Sequence, residues 1–144
     1  MKFLGHPVHM MVVHFPTALI PMDFILNTIG YCWQDGSFDM AAFYCLVAGV
    51  TFGWIAVVFG AGDLLTINTQ KEGALKAALV HGTINTIVLI GCSVIAWVQW
   101  KKYPLIETPS LSWLGVRATL VAVLLIGNYV GGNLVLKHKV GVHE

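Results

Sequence analysis

Six histidines carry most of the chemistry open to this chain: His6, His9, His14, His81, His138 and His143. A neutral imidazole ligates a metal through one ring nitrogen and is oriented through the other. Histidine is scarce in lipid, because hydrocarbon supplies no partner for those nitrogens. Yet the chain around them is strongly apolar. Of 144 residues, 57% are hydrophobic and 10% charged, and the mean hydropathy is +0.77. A soluble domain carries about 25% charged residues. This composition cannot cover a water-facing surface, and a net charge of +1 gives no basis for binding nucleic acid.

The elements that must position the histidines are four apolar spans, at about 7–31, 39–62, 73–100 and 110–136. Each exceeds the ~20 residues that cross a bilayer core. Pro7 suits a first helical position, where its missing N–H costs nothing. The breaks are plain: Gln34-Asp35-Gly36-Ser37, then Asn68 to Gly73, then Lys101-Lys102-Tyr103-Pro104 with Glu107-Thr108-Pro109-Ser110. With such short loops the expected fold is all-α, an integral membrane up-down four-helix bundle with both termini on one side. That near side receives all six histidines. Tyr31, Trp33, Trp97, Trp100, Tyr103 and Trp113 form an aromatic belt on the far side.

The start of the chain does not read as a cleavable signal peptide. The apolar stretch after Lys2 contains His9, His14, Pro16 and Pro21 and runs on to Tyr31. Cys32, Cys45 and Cys92 show no C-x-x-C spacing and read as small buried hydrophobes. Lys2, Lys71, Lys76, Lys137 and Lys139 are near-side, against Lys101, Lys102 and Arg117 on the far side. That split favours cytoplasmic termini.

Depth divides the histidines. At ~1.5 Å per residue, His14 lies about 10 Å and His81 about 12 Å inside their spans. Spans one and three are diagonal in an up-down bundle, so the two are expected to face each other as axial ligands of one haem iron. Gly49, Gly53, Gly60 and Gly62 on span two, and Gly127, Gly131 and Gly132 on span four, either admit a flat macrocycle or simply pack backbones closely. His9 and His138 form a reserve pair, or else face water. His6 and His143 are expected in water. Asp63 either orients a ligand histidine or ends a helix at the interface. Asn85, one turn past His81, either bonds a ligand or makes an interhelical contact.

The far half has no histidine. Asp23 and Arg117 lie there at nearly equal depth on adjacent spans, and an ion pair between them is expected, since either charge alone in lipid is costly. Pro16 and Pro21 interrupt span one just past His14; each removes a backbone donor. No catalytic nucleophile–base arrangement and no phosphate loop is legible.

His6-Pro7-Val8-His9 with Val13-His14-Phe15-Pro16 resembles the N-terminal H-P-x-H…V-H-F-P block of an uncharacterised prokaryotic membrane-protein family, a four-span domain of unknown function. Gly131-Gly132-Asn133-Leu134-Val135, His138 and Val140-Gly141-Val142 resemble its C-terminal block, departing at Lys139 where the family has glycine. Ala78-Leu79-Val80-His81 with Asn85, and Gly62-Asp63, resemble its middle motifs. The likeness covers essentially the whole chain. It implies four spans and no assigned activity. Some relatives are joined to Rieske-type or cytochrome c-type domains, which implies a redox setting by association.

Three functions are therefore expected in order. The first is a b-type haem protein in electron transfer, exchanging electrons with quinone or a redox partner subunit. The second is an accessory subunit of a respiratory or photosynthetic membrane complex. The third is a protein handling a transition metal or protons through His9, His14, Asp63, His81 and His138. Lacking C-x-x-C-H, the chain is not expected to attach haem covalently.

Overall fold

The computed structural model describes residues 8–65 and 72–137, with the backbone alone of 2–3 and 6–7. Lys2–Phe3 (β1) and His6–Pro7 (β2) pair as a short antiparallel ribbon. Five helices follow: α1 Val8–Val12, α2 His14–Trp33, α3 Gly36–Leu64, α4 Glu72–Trp100 and α5 Leu111–Leu136. Four spans long and apolar enough to cross a membrane result, with α1 and α2 together making the first.

The interruption at Val13 has a local cause. Pro16 has no N–H to offer the Val12 carbonyl, and its ring crowds that carbonyl. The ladder resumes on either side, through Val13 N–H to His9 O (3.0 Å) and Thr17 N–H to Val13 O (3.2 Å). Pro21, by contrast, stays within α2.

The second span begins earlier than position 39. Asp35 is the N-cap, extended in backbone and accepting from the Ser37 N–H at 2.9 Å, so Gly36 already opens α3. Gln34 closes α2 in the left-handed conformation (φ 56°), with its backbone N–H on the Gly30 carbonyl. The turn between spans is thus only two residues long.

Helix α2 packs on α3, α3 on α4, α4 on α5, and α5 back on α2, so α2 and α4 are diagonal; α1 also packs on α3. Cross-contacts give the direction. Near-side His9 meets Ala56, late in α3, and near-side His81 meets Gly127, late in α5. Far-side Phe43 meets Trp100. Successive helices therefore run antiparallel, which is the all-α up-down membrane bundle.

The centre is small. Ile20, Leu46, Val88, Cys92, Ile95 and Leu124 form one cluster, drawn from all four spans. Most other large apolar side chains point outward, including Val58 (66% exposed), Leu125 (57%) and Tyr129 (72%). In water that surface would aggregate; in a bilayer it is the lipid-facing surface. Lipid supplies no hydrophobic drive between helices, so close fit does the work. A methyl on Gly53 would lie 2.5 Å from Leu89 Cδ1, which shows how near α3 and α4 approach. The far-side aromatics Trp33, Trp97, Trp100, Tyr103 and Trp113 are all exposed, as interfacial anchors are.

Candidate functional site

His9 and His81 face each other at the near end of the bundle. Their ring centres are 6.4 Å apart and their planes cross at 84°. Both rings are held in the same way. His9 Nδ1 lies 2.8 Å from the Ala56 carbonyl of α3, and His81 Nδ1 lies 2.8 Å from the Gly127 carbonyl of α5. A carbonyl only accepts, so each Nδ1 carries the proton and donates. In the neutral ring, Nε2 is then the lone-pair nitrogen.

The fit depends on two glycines spaced alike. In an α-helix, the carbonyl of residue i lies beside the side chain of residue i+4. That residue is Gly60 behind Ala56 and Gly131 behind Gly127. A methyl on Gly60 would sit 3.0 Å from His9 Nδ1 and Cε1. A methyl on Gly131 would sit 2.6 Å from His81 Cε1. A side chain at either position would push the imidazole off its carbonyl. These glycines therefore seat histidine rings. The space beside Gly60 and Gly131 is taken by the imidazoles themselves.

Asn85 supports His81 from one turn further along α4. Its amide donates to the His81 carbonyl at 2.9 Å and lies 3.1 Å from His81 Nδ1. It packs into Gly127, where a methyl would be 2.8 Å from its Nδ2. Asn85 Oδ1 is buried and has no partner among the described residues.

His14 does not join this pair. It is the first residue of α2 and is exposed. A five-residue step turns about 140° around a helix, so His9 and His14 cannot both face inward. Because α1 packs on α3, His9 takes the inward place. The ring in contact with His81 is that of His9, while His14, expected to face His81, is exposed. Asp63 is half-buried in the last turn of α3, three residues beyond Gly60. His138 and His143 lie outside the described residues, and His6 is described by its backbone alone. Among the described residues, no group of three or more His, Cys, Asp or Glu side chains gathers as a metal-ligand cluster.

The far half holds a second buried polar group. Arg117 Nε donates to Asp23 Oδ2 at 3.0 Å, with both side chains under 5% exposed. Asn27, one turn after Asp23, donates to Asp23 Oδ1 and to its carbonyl, each at 2.8 Å. Asp39 is fully buried and accepts from Thr108. Gly30 makes room for it, since a methyl there would be 2.7 Å from Asp39 Oδ1. Sequence reasoning found Asp23 and Arg117 but missed Asn27, Asp39 and Thr108. The Asp23/Asn27 spacing of four residues was a readable signal. The Asp39–Thr108 contact had none, because it joins a helix start to a loop 69 residues away.

The four antiparallel spans and the buried polar groups at both ends define a helical integral membrane protein. The chain belongs to the family described as "Predicted membrane protein (DUF2231)", which it matches over residues 5–144. No curated protein and no solved structure was found to be similar.

Proposed function

We propose that this is a membrane-embedded b-type haem protein taking part in electron transfer, with His9 and His81 as the residues that would hold the haem. The observation that carries the reading is the paired seating of the two rings, each with Nδ1–H on a helix carbonyl and Nε2 left as a ligand nitrogen. Ligating histidines are oriented in this way through their second nitrogen. A bare zinc ion takes three or four protein ligands. Two imidazoles alone would suit a metal that brings further ligands of its own, as haem iron does.

Bound there, haem would supply one-electron chemistry. The chain's own part is to fix both rings, hold their tautomers, and surround them with helix backbone and lipid-facing side chains. Electrons would be exchanged with a redox partner subunit or with quinone. Localisation in a prokaryotic inner membrane with cytoplasmic termini belongs to the same proposal. Arg117 is paired inside a span, so only Lys101 and Lys102 count as far-side loop charges, which strengthens the basic bias of the near side.

The test is an absorption spectrum of the detergent-purified protein, expressed with ample haem, before and after reduction. A Soret band with sharp reduced bands is expected. A protein that folds but shows no Soret band removes the haem reading. Metal analysis and the identity of co-purifying subunits then decide between metal handling and an accessory role.

A further inference from the structure

The two histidine seats repeat each other in position as well as in form. The bonds that hold them span 47 residues from His9 to Ala56 and 46 from His81 to Gly127. His9 to His81 is a shift of 72 positions, while Ala56 to Gly127 and Gly60 to Gly131 are each a shift of 71. These shifts carry the first span onto α4, and α3 onto α5. The packing follows them. The α2–α3 contact becomes α4–α5, and the α3–α4 contact becomes α5–α2.

Side chains deeper in the bundle obey the same shifts. Leu19 and Gly49 correspond to Gly91 and Leu120. A methyl on Gly49 would lie 3.3 Å from Leu19 Cβ, and one on Gly91 would lie 2.9 Å from Leu120 Cδ2. The same two positions thus meet in each half, with glycine and leucine exchanged. Ile20 corresponds to Cys92, Asp23 to Ile95 and Leu46 to Arg117. All six line one gap too small for water inside the bundle. Three corresponding pairs around one gap, with a pair of corresponding histidines at the near end, mark an axis. Both hairpins start on the near side, so the axis runs along the bundle.

We infer that the chain is two copies of one helix hairpin related by a twofold axis, and that the His9–His81 site lies on that axis. Transporters built from internal repeats place their substrate sites at the repeat interface. A ligand held here meets equivalent imidazoles from the two halves, so its class is a metal centre with two equivalent free coordination positions. That last clause rests on the haem reading, and the duplication does not. The buried charges break the symmetry. Two first hairpins together would bury two Asp23 carboxylates without a cation, and two second hairpins would bury two Arg117 guanidiniums without an anion. Either is costly in a membrane. One hairpin of each kind pairs the charges at 3.0 Å, so the ion pair selects the unlike half as partner.

The seats are tested on the haem-free protein. The full chain with nitrogen-15 histidine is examined by NMR in detergent at about pH 9, where free imidazole is neutral. Two Nδ1–H imidazoles are expected, one lost in His9→Ala and the other in His81→Ala. An Nδ1–H signal from only one of the two overturns the equivalence. The axis is tested by moving the ion pair. In Asp23→Ile with Arg117→Leu, adding Leu46→Arg or Ile95→Asp alone should lower the denaturation midpoint, and adding both should recover most of that loss. Additive losses overturn the twofold relation. If the Asp23→Ile, Arg117→Leu chain does not fold, the histidine signals decide alone. If haem is held as proposed, His9→Gly and His81→Gly should regain a low-spin spectrum at added imidazole concentrations equal within about twofold. A difference of about tenfold overturns the shared site. A chain without haem leaves the first two results standing, so the two readings fail separately.

Discussion

His81 Cε1 stands where a side chain at Gly131 would have to go, 2.6 Å from the position of its first carbon. The contact ties α4 to α5 and fixes the ring's nitrogen on the Gly127 carbonyl. His9 repeats it over Gly60, onto the Ala56 carbonyl of α3. A pair of helix hairpins thus presents two imidazoles to each other by the same device.

Gly131→Ala should therefore act as a histidine mutation without touching the histidine. The added methyl overlaps the ring rather than a flexible chain end. Overpacking of this kind costs about 1–3 kcal/mol. The expected result is a bundle less stable to denaturant in detergent and a loss or change of any haem spectrum. Gly60→Ala, with a 3.0 Å contact, should do the same more mildly. A Gly131→Ala protein with wild-type stability and spectrum would show that the ring is not seated there.

Single histidine replacements distinguish His9 from His14. If haem is held as proposed, His9→Ala and His81→Ala should each abolish its low-spin spectrum or convert it to a high-spin one. His14→Ala should leave the spectrum unchanged, since His14 is exposed on the other side of its span. Spectra of the three variants purified in parallel decide this. A spectrum lost in His14→Ala and kept in His9→Ala would reverse the ligand assignment.

The Asp23–Arg117 pair should be far costlier to break than to replace. Removing one partner of a buried ion pair typically costs 3–5 kcal/mol, because the other charge stays buried alone. Arg117→Leu should lose about that much, as should Asp23→Leu. The double variant should recover part of the loss, giving a positive coupling energy in a double-mutant cycle of unfolding in mixed micelles. Additive losses would show that the two charges do not interact.

Asp35 gives a pH dependence with a definite sign. The Ser37 backbone N–H holds the Asp35 carboxyl below the usual carboxylate value. A carboxyl lowered on folding stabilises the ionised state, so its contribution is complete above the unfolded value, about 3.9. It fades as the pH falls through the lower folded value. Helix content followed during acid titration should drop less steeply in Asp35→Asn, which keeps a cap without a titrating group. Asp35→Ala should be less stable than wild type at neutral pH. A wild-type acid profile in Asp35→Asn would mean that this cap does not report.

The sequence could be read well where a signal was local. Four apolar runs, the short polar breaks between them and the aromatic belt determined a four-span antiparallel bundle with His9, His14 and His81 at one end. Equal depth on adjacent spans was enough to bring Asp23 and Arg117 together. Pro16 and the Asp35 cap each act within one turn of chain, so both were open to reading.

Which histidine faces His81 was decided by tertiary structure. His9 and His14 lie on opposite sides of one short segment, and depth alone favours His14. The choice rests on how α1 packs on α3, which depends on Gly60 lacking a side chain beside a carbonyl 47 residues from His9. The Asp39–Thr108 contact is of the same kind, built from residues far apart in the chain. Hydrophobic period and residue type specify depth and side, because the bilayer imposes one axis on every span. Rotation of each helix about that axis is set by side chains fitting between neighbours, and only the assembled bundle contains that information.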